Sequence, residues 1–138
     1  MPRVFVYGSL KRGFRNHQYV ENARFVGEAY TVTHFRMLDG SFPVLRDAGA
    51  DRMPISGEVF DVDAPTLVKL DELESVASGM YDRVEIDVIL IGPQNEQPCS
   101  AFVYIGCGAY WDKKERVPYL VTDRLGHLNW LAPNMRSK

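Results

Sequence analysis

One glutamate occupies a helix position where the hydrophobic pattern favours an apolar side chain. Residues 65–75 follow Asp63, a good helix N-cap, and begin with a proline, which predicts an α-helix. Leu67, Leu70 and Glu74 are three and four residues apart, so the carboxylate lies on the leucine stripe. A carboxylate that faces a core loses hydration, and its pKa rises toward the range useful for proton transfer. Glu74 is therefore the candidate acid–base residue.

The position of Glu74 in the last helical turn also allows a purely structural interpretation. Charged residues near helix ends are usually solvated, so this side chain can equally point into water or pair with an arginine such as Arg83. The pattern alone leaves both interpretations open. Asp71 and Glu72 are expected on the polar flank of the helix, where they only increase solubility.

The second candidate site is the turn formed by Tyr7, Gly8, Ser9 and Leu10. Residues 3–7 are apolar, β-branched and aromatic, which predicts a buried strand that ends at this turn. Such a turn can direct several backbone N–H groups to one place and bind an anion or an oxyanion. Its structural alternative is an ordinary β-turn in which glycine supplies conformational freedom.

Two familiar sites are excluded near this turn. Residues 8–13 are spaced like a phosphate-binding loop, but Phe14 and Arg15 stand where Lys and Ser/Thr are required. Ser9 lacks the Gly-x-Ser-x-Gly surroundings of a nucleophile, so hydrogen bonding is its expected role. The basic side chains of this loop are interpreted as solvated charges: Lys11, Arg12 and Arg15.

The cysteines and histidines predict neither a disulfide framework nor a metal site. Cys99 and Cys107 do not have the spacing of a redox pair and are expected to be reduced and partly buried. The histidines are scattered along the chain without ligand spacing: His17, His34 and His127. We therefore predict no metal.

Composition indicates an ordinary globular protein. The chain has 138 residues, 46% hydrophobic and 25% charged, which is typical of a single domain over residues 1–138. A formal net charge of -2 provides no positive field for a nucleic acid, and attraction to a membrane is equally unsupported. The opening residues do not resemble a signal peptide, and no apolar run approaches the ~20 residues of a membrane span. A cytoplasmic location is expected.

The remaining elements predict an α+β domain. Further strands are expected at residues 29–38, 55–62, 81–90 and 100–105. The last two should form an antiparallel hairpin, since a Gly-Pro-Gln-Asn turn lies between them. Residues 106–116 are expected to be a loop or short helix, and the apolar residues of 118–133 to dock as a helix. The predicted architecture is a mixed, mainly antiparallel, barrel-like sheet with one central helix and short peripheral helices.

Three blocks of sequence resemble one protein family. VFVYGSLKRG at residues 4–13, followed by Asn16 and His17, is similar to the start of the γ-glutamylcyclotransferase-like superfamily, and specifically of its γ-glutamylamine cyclotransferase branch. The second block comprises residues 57–63, 70–75 and 81–83, in which the family's catalytic glutamate falls on Glu74. The third block is residues 101–104 with Tyr110 and Trp111. Many members have glycine after the glutamate, where this chain has Ser75.

The resemblance implies a cofactor-free enzyme with a small γ-glutamyl substrate. The substrate's own α-amino group would attack its γ-carbonyl and release 5-oxoproline and an amine, with Glu74 transferring the proton. The residues expected to bind substrate are Tyr7, Gly8, Ser9, Leu10, Tyr81, Tyr104 and Tyr110. The last three are equally typical of core or edge aromatics.

Two alternatives to this function stay open. The same fold is compatible with action on γ-glutamyl amino acids, glutathione or a γ-glutamyl-protected biosynthetic intermediate. It is also compatible with a non-catalytic small-molecule-binding module, because a protein can keep its fold after it has lost catalytic activity. Both a monomer and a dimer agree with the sequence.

Overall fold

A closed five-stranded barrel forms the body of the protein. The computed structural model describes residues 1–40, 42–111 and 116–136. The barrel strands are β1 (Arg3–Val6), β2 (Arg24–Thr31), β5 (Ser56–Asp61), β6 (Tyr81–Ile91) and β7 (Glu96–Gly106). Their order around the barrel is β1-β5-β2-β6-β7, and β7 returns to β1. All neighbouring pairs are antiparallel except β1 with β7. The prediction of a mixed, mainly antiparallel barrel is confirmed.

A small second sheet and one main helix complete the fold. The sheet has the order β4-β3-β8, with β3 (Arg36–Asp39), β4 (Val44–Arg46) and β8 (Val117–Pro118). The helices are α1 (Ala64–Leu73) and α2 (Gly108–Trp111), and the 3-10 turns are His17–Tyr19, Val76–Ser78 and Pro133–Met135. No helix within the described ranges is long and apolar enough to cross a membrane.

Helix α1 begins where the sequence predicts it. The Asp63 side chain accepts a hydrogen bond from the Thr66 N–H at 2.8 Å, and Pro65 lies in the first turn, where its missing N–H costs nothing. Leu70 is completely buried between the helix and the barrel wall, and Leu67 is partly buried beside it. Burial of a leucine side chain contributes about 1.5–3 kcal/mol, so this contact fixes the helix against the sheet.

Strands β6 and β7 form the predicted hairpin. Eleven residue pairs join them, from Tyr81 opposite Gly106 to Ile91 opposite Glu96. Val84, Ile86 and Val88 pack against the barrel core as their alternation indicates.

The prediction of one strand over residues 29–38 is wrong. β2 ends at Thr31 in the barrel, and β3 begins at Arg36 in the second sheet. At the break, the Thr31 hydroxyl accepts a hydrogen bond from the Ile55 N–H at 3.0 Å and donates one to the Thr33 carbonyl. These bonds, one local and one to a residue 24 positions away, accompany the turn of the chain away from the barrel, which period-two patterning alone does not reveal.

The prediction of a helix over residues 118–133 is also wrong. After β8 this segment is extended, held by isolated bridges such as Ile55 with Leu128. Leu128 and Trp130 are almost fully buried in the barrel core, and they anchor the segment without a helix. The Asp123 carboxylate accepts bonds from the N–H groups of Leu125 and His127, a local turn that competes with helix formation.

Residues 106–116 were predicted to be a loop or a short helix, and this segment contains the short helix α2. Residues 112–115 of that expectation lie outside the described residues. Cys99 and Cys107 are free thiols of intermediate exposure, in agreement with the prediction.

Strand β1 is shared by two hydrophobic cores. Phe5 and Tyr7 belong to the core inside the barrel, whereas Val4 and Val6 belong to the core between the barrel and α1. The strand is buried on both faces, so the turn that follows it begins inside the protein.

Candidate active site

A cavity of about 230 Å³ opens where β1 ends. It brings together all the predicted site residues except Tyr110. The complete lining is Phe5, Val6, Tyr7, Gly8, Ser9, Leu10, Arg15, Asn16, Phe42, Pro43, Leu73, Glu74, Met80, Tyr81 and Tyr104. Thus the C-terminal end of α1, the first turn and the start of β6 meet at one place.

Tyr110 does not line this cavity. It lies on α2 with its ring 4.8 Å from the Trp111 ring, in an edge-to-face arrangement. The Tyr110 side chain lines a neighbouring groove instead.

Glu74 is the C-cap residue of α1, and its side chain lines the cavity. Its backbone N–H donates to the Leu70 carbonyl at 2.9 Å. Ser75 then adopts a left-handed conformation with φ 52°, which turns the chain back toward β6. The chain therefore leaves the helix without carrying the Glu74 side chain out into solvent.

Burial raises the pKa of Glu74 from 4.5 to about 7. Across residues 1–40, 42–111 and 116–136, no side chain forms a hydrogen bond or ion pair with this carboxylate. Arg83, considered from the sequence as its partner, lies 3.4 Å from the Asp71 carboxylate instead. Glu74 thus lies half-buried at the cavity without a partner among the described residues, and burial of this kind brings the pKa of a carboxylate toward the range useful for proton transfer near neutrality.

Three tyrosines form a neutral wall around the carboxylate. Burial raises the pKa of Tyr7, Tyr81 and Tyr104 well above its usual value, and the nearby Glu74 charge adds to this effect. Their hydroxyl groups therefore remain protonated near neutrality. The Tyr7 hydroxyl donates to the Tyr104 carbonyl at 2.7 Å, which ties the end of β1 to β7.

Asp71 was expected to be a solvated charge, and this expectation is wrong. Its carboxylate accepts a hydrogen bond of 2.7 Å from the Tyr104 hydroxyl and pairs with Arg83. Both partners come from the β6–β7 hairpin, so only the packing of α1 on that hairpin reveals the contact. Asp71 positions one wall of the cavity.

The first turn lines the cavity, and several of its backbone N–H groups make no hydrogen bond to the described residues. The turn is closed by bonds from the Lys11 N–H to the Gly8 carbonyl and from the Asn16 N–H to the Ser9 carbonyl, at 3.1 and 2.9 Å. The Asn16 side-chain amide also donates to the Ser9 hydroxyl at 2.9 Å. The N–H groups of Gly8, Ser9 and Leu10 donate to no described acceptor. They are available to an anion or an oxyanion.

Gly8 is required for space rather than for an unusual φ. A Cβ atom at this position would lie 2.7 Å from Cγ of Pro43, which is closer than side chains pack. The ring of Pro43 therefore rests directly on the turn and forms part of the cavity wall.

The three basic residues of the first loop have different environments. Lys11 is buried, and its ammonium donates to the Trp130 carbonyl at 2.9 Å, so the interpretation as a solvated charge is wrong there. Arg12 pairs with Glu58 at 3.1 Å. Arg15 is exposed, lines the cavity and has no ion-pair partner within the described part of the chain.

Several lining residues were not identified from the sequence: Arg15, Asn16, Phe42, Pro43 and Met80. Asn16 belongs to the opening block that carries the family resemblance, which was a usable signal. The other four have no local pattern that distinguishes them from loop residues. In the ranges that the structure describes, no cluster of three or more His, Cys, Asp or Glu side chains could hold a metal ion.

The structure thus combines a closed barrel with a small cavity lined by a half-buried carboxylate and by backbone amides that have no acceptor among the described residues. Comparison with known sequences identifies the family. Residues 4–124 match the family "Gamma-glutamyl cyclotransferase, AIG2-like", and the chain belongs to this family. Membership supports γ-glutamyl cyclotransferase activity at the level of the family.

Individual relatives agree with this assignment. A Methanocaldococcus jannaschii protein, provisionally named a gamma-glutamylcyclotransferase, is 34% identical over 109 residues, covering 78% of this chain and 89% of that protein. Gamma-glutamylaminecyclotransferase of Bos taurus is 34% identical over 125 residues, covering 85% of this chain and 72% of the bovine one. Among solved structures, an AIG2-like protein from Mus musculus superposes with a TM-score of 0.68 at 27% identity, covering 95% of this chain and 97% of the mouse chain.

Proposed function

We propose that this protein releases 5-oxoproline and a free amine from γ-glutamylamine compounds by intramolecular cyclisation, with Glu74 as the general acid–base residue. The observation that carries the proposal is that the Glu74 carboxylate and the amides of the first turn line the same cavity and have no partner among the described residues. The name of the bovine relative supports an amine as the leaving group.

Proton transfer is the first requirement of this reaction. The substrate's α-ammonium must lose a proton before its nitrogen attacks the γ-carbonyl carbon, and the departing nitrogen must gain one. Glu74 has a pKa raised to about 7, so near neutrality it exists in both protonation states. It accepts the proton from the α-ammonium and passes it to the leaving nitrogen as the amide C–N bond breaks. Such transfers contribute roughly 10² to 10⁴ in rate.

Binding of two negative groups is the second requirement. The substrate carries a permanent α-carboxylate, and its γ-carbonyl oxygen gains charge during attack. The guanidinium of Arg15 is suited to the permanent charge. The N–H groups of Gly8, Ser9 and Leu10 are fixed dipoles, and they are suited to the charge that develops on the oxygen.

Orientation is the third requirement. Cyclisation needs the glutamyl chain to be curled so that its two ends meet, and a small cavity can hold that conformation before reaction. Tyr7, Tyr81 and Tyr104 provide a wall of buried neutral groups on the side of Glu74. The bond between the Tyr104 hydroxyl and Asp71 holds this wall in place.

The test is an assay of 5-oxoproline release by purified protein from γ-glutamyl-ε-lysine, γ-glutamyl-alanine and glutathione. We expect the γ-glutamylamine to be turned over fastest. Glu74→Gln keeps the size and polarity of the side chain but cannot accept the proton, so it should lower release by at least about 10². Glu72→Gln is the matched control, since Glu72 is an exposed residue of the same helix, and it should retain parent activity.

The outcomes separate the competing functions. Turnover by Glu74→Gln at the parent rate would remove Glu74 from the mechanism. Faster turnover of γ-glutamyl-alanine or glutathione would assign the substrate to a different γ-glutamyl class. Absence of 5-oxoproline from every substrate would favour a non-catalytic binding module.

A further inference from the structure

Lys11 is the residue that closes the first turn, and its side chain is buried in the protein. Only 6% of its surface is exposed. Its ammonium donates to the Trp130 carbonyl at 2.9 Å and to Oδ1 of Asn129 at 3.2 Å. The ammonium also lies 4.6 Å from the centre of the Phe14 ring. A buried ammonium is unfavourable unless it is hydrogen-bonded, so these contacts fix where the side chain lies.

The acceptors of Lys11 belong to a firmly held part of the chain. Trp130 is almost fully buried in the barrel core. The Asn129 N–H donates to the Val121 carbonyl at 3.1 Å, which holds the backbone beside it. The Lys11 side chain therefore joins the first turn to the barrel core, across a separation of more than 100 residues in sequence.

The backbone of Lys11 sets the direction of one amide in the first turn. Its N–H donates to the Gly8 carbonyl at 3.1 Å. A trans peptide unit is planar, and its C=O and N–H point in opposite directions. The bond to the Gly8 carbonyl thus sets the direction of the Ser9 N–H. In the same way, the Asn16 N–H holds the Ser9 carbonyl at 2.9 Å and sets the direction of the Leu10 N–H.

We propose that Lys11 is a positioning residue, which joins the first turn to the barrel core and thereby orients the Ser9 amide for the reaction. The inference rests on the proposed function, in which the amides of this turn stabilise charge on the γ-carbonyl oxygen. Lys11 does not line the active-site cavity, whereas Ser9 does, so Lys11 acts through the backbone and not by contact with the substrate.

The strength of this connection depends on the charge of Lys11. Burial lowers the pKa of Lys11 from 10.5 to about 8, and the negative charge of Glu58 opposes this change. Glu58 also accepts bonds from the Arg12 N–H at 2.8 Å and from its guanidinium at 3.1 Å. Below pH 8 the ammonium makes charge-assisted bonds, and the neutral amine above pH 8 makes bonds about half as strong. The other charged residues of the groove that Lys11 lines are Glu28, Asp123 and Arg124.

The first test separates kcat from KM for 5-oxoproline release. Lys11→Met keeps a side chain of similar length but donates no hydrogen bond to Trp130. Because the Ser9 amide stabilises charge that develops only in the transition state, kcat should fall by about tenfold while KM changes by less than about twofold. Lys69→Met, at an exposed lysine of α1, is the matched control and should leave both constants unchanged. A parent value of kcat in Lys11→Met, or a change confined to KM, would overturn the inference.

The second test is the pH dependence of kcat. In the parent protein kcat should fall by about threefold as the pH rises through about 8, since the charge-assisted bonds weaken. Lys11→Arg stays charged throughout, so it should show no fall near pH 8, with a kcat between those of the parent and Lys11→Met. A fall near pH 8 that persists in Lys11→Arg would arise from another group and would overturn the inference.

A variant outside the first loop keeps the test valid if Lys11→Met does not fold. Asn129→Leu removes one acceptor of the ammonium and leaves the turn intact. Loss of a hydrogen bond to the charged form lowers a lysine pKa, so the fall in kcat should move to a pH below 8. A fall at the parent pH would contradict the role of Lys11.

Carbon-13 NMR of the carbonyl groups makes the result independent of turnover. The Trp130 carbonyl accepts from the Lys11 ammonium, whereas the Gly8 carbonyl accepts from the Lys11 backbone N–H. We expect both carbonyl shifts to change with one midpoint near pH 8 in the parent protein, and neither to change in Lys11→Arg. A change at Trp130 without one at Gly8 would refute the inference even if the protein is active. If both change but no γ-glutamyl substrate is turned over, the proposed function fails while the coupling of Lys11 to the turn stands.

Discussion

Replacement of Glu74 by glutamine should make the folded protein more stable at neutral and alkaline pH while it removes activity. Burial raises the pKa of Glu74 from 4.5 to about 7. Each pKa unit corresponds to about 1.4 kcal/mol, so ionisation of this group in the folded state costs up to about 3 kcal/mol of folding free energy. Glutamine has a similar shape and never carries that charge.

The pH dependence has a definite sign. The unfolded chain releases the Glu74 proton near pH 4.5, and the folded protein keeps it until about pH 7. The stability that the protein gains from keeping Glu74 neutral is therefore fully present below pH 4.5 and is lost as the pH rises from 4.5 to 7. Above pH 7, ionisation of this group changes the free energy of unfolding no further. The stability difference between Glu74→Gln and the parent should grow from near zero to about 3 kcal/mol over this interval.

Urea unfolding of both proteins across this pH range measures the difference directly. Glu72→Gln serves as the control, because an exposed carboxylate on the same helix should give no such trend. The two proteins could instead differ in free energy of unfolding by the same amount below pH 4.5 and above pH 7. That result would show that the Glu74 carboxylate stays hydrated in the folded protein, and it would refute the reasoning on the site.

Two other substitutions test the cavity and the helix end. Arg15→Gln should raise KM for γ-glutamyl substrates by about tenfold with a smaller change in kcat, because it removes a charge that binds substrate and transition state alike. Steady-state kinetics measures this, the exposed Lys69→Gln is the control, and an unchanged KM would exclude Arg15 from binding. Ser75→Gly should raise the free energy of unfolding by about 0.5–1 kcal/mol, because Ser75 has φ 52° and glycine adopts this conformation without strain. Urea unfolding tests it, and a less stable variant would contradict the account of the helix C-terminus.

Elements with strong local signals were predictable. Helix α1 follows from its Asp63 cap, its early proline and its leucine spacing, and the β6–β7 hairpin follows from alternation on both sides of a turn. These signals act over a few residues, so they need no knowledge of the rest of the fold. The segments without such signals were predicted wrongly. The strand over residues 29–38 divides at Thr31, and the segment 118–133 is extended because the barrel core receives Leu128 and Trp130 directly.

The same distinction separates the parts of the candidate site. The amino-acid sequence by itself determined that a carboxylate follows the leucine stripe of α1 and that a strand ends in Tyr-Gly-Ser-Leu, since both are matters of spacing along one element. Only the tertiary structure decided that the two line one cavity, that Asp71 holds Tyr104, and that Arg15 lacks an ion-pair partner within the described residues. The physical reason is that burial and charge pairing depend on chain segments distant in sequence, such as residues 42–43 and the β6–β7 hairpin, whose approach no local pattern encodes.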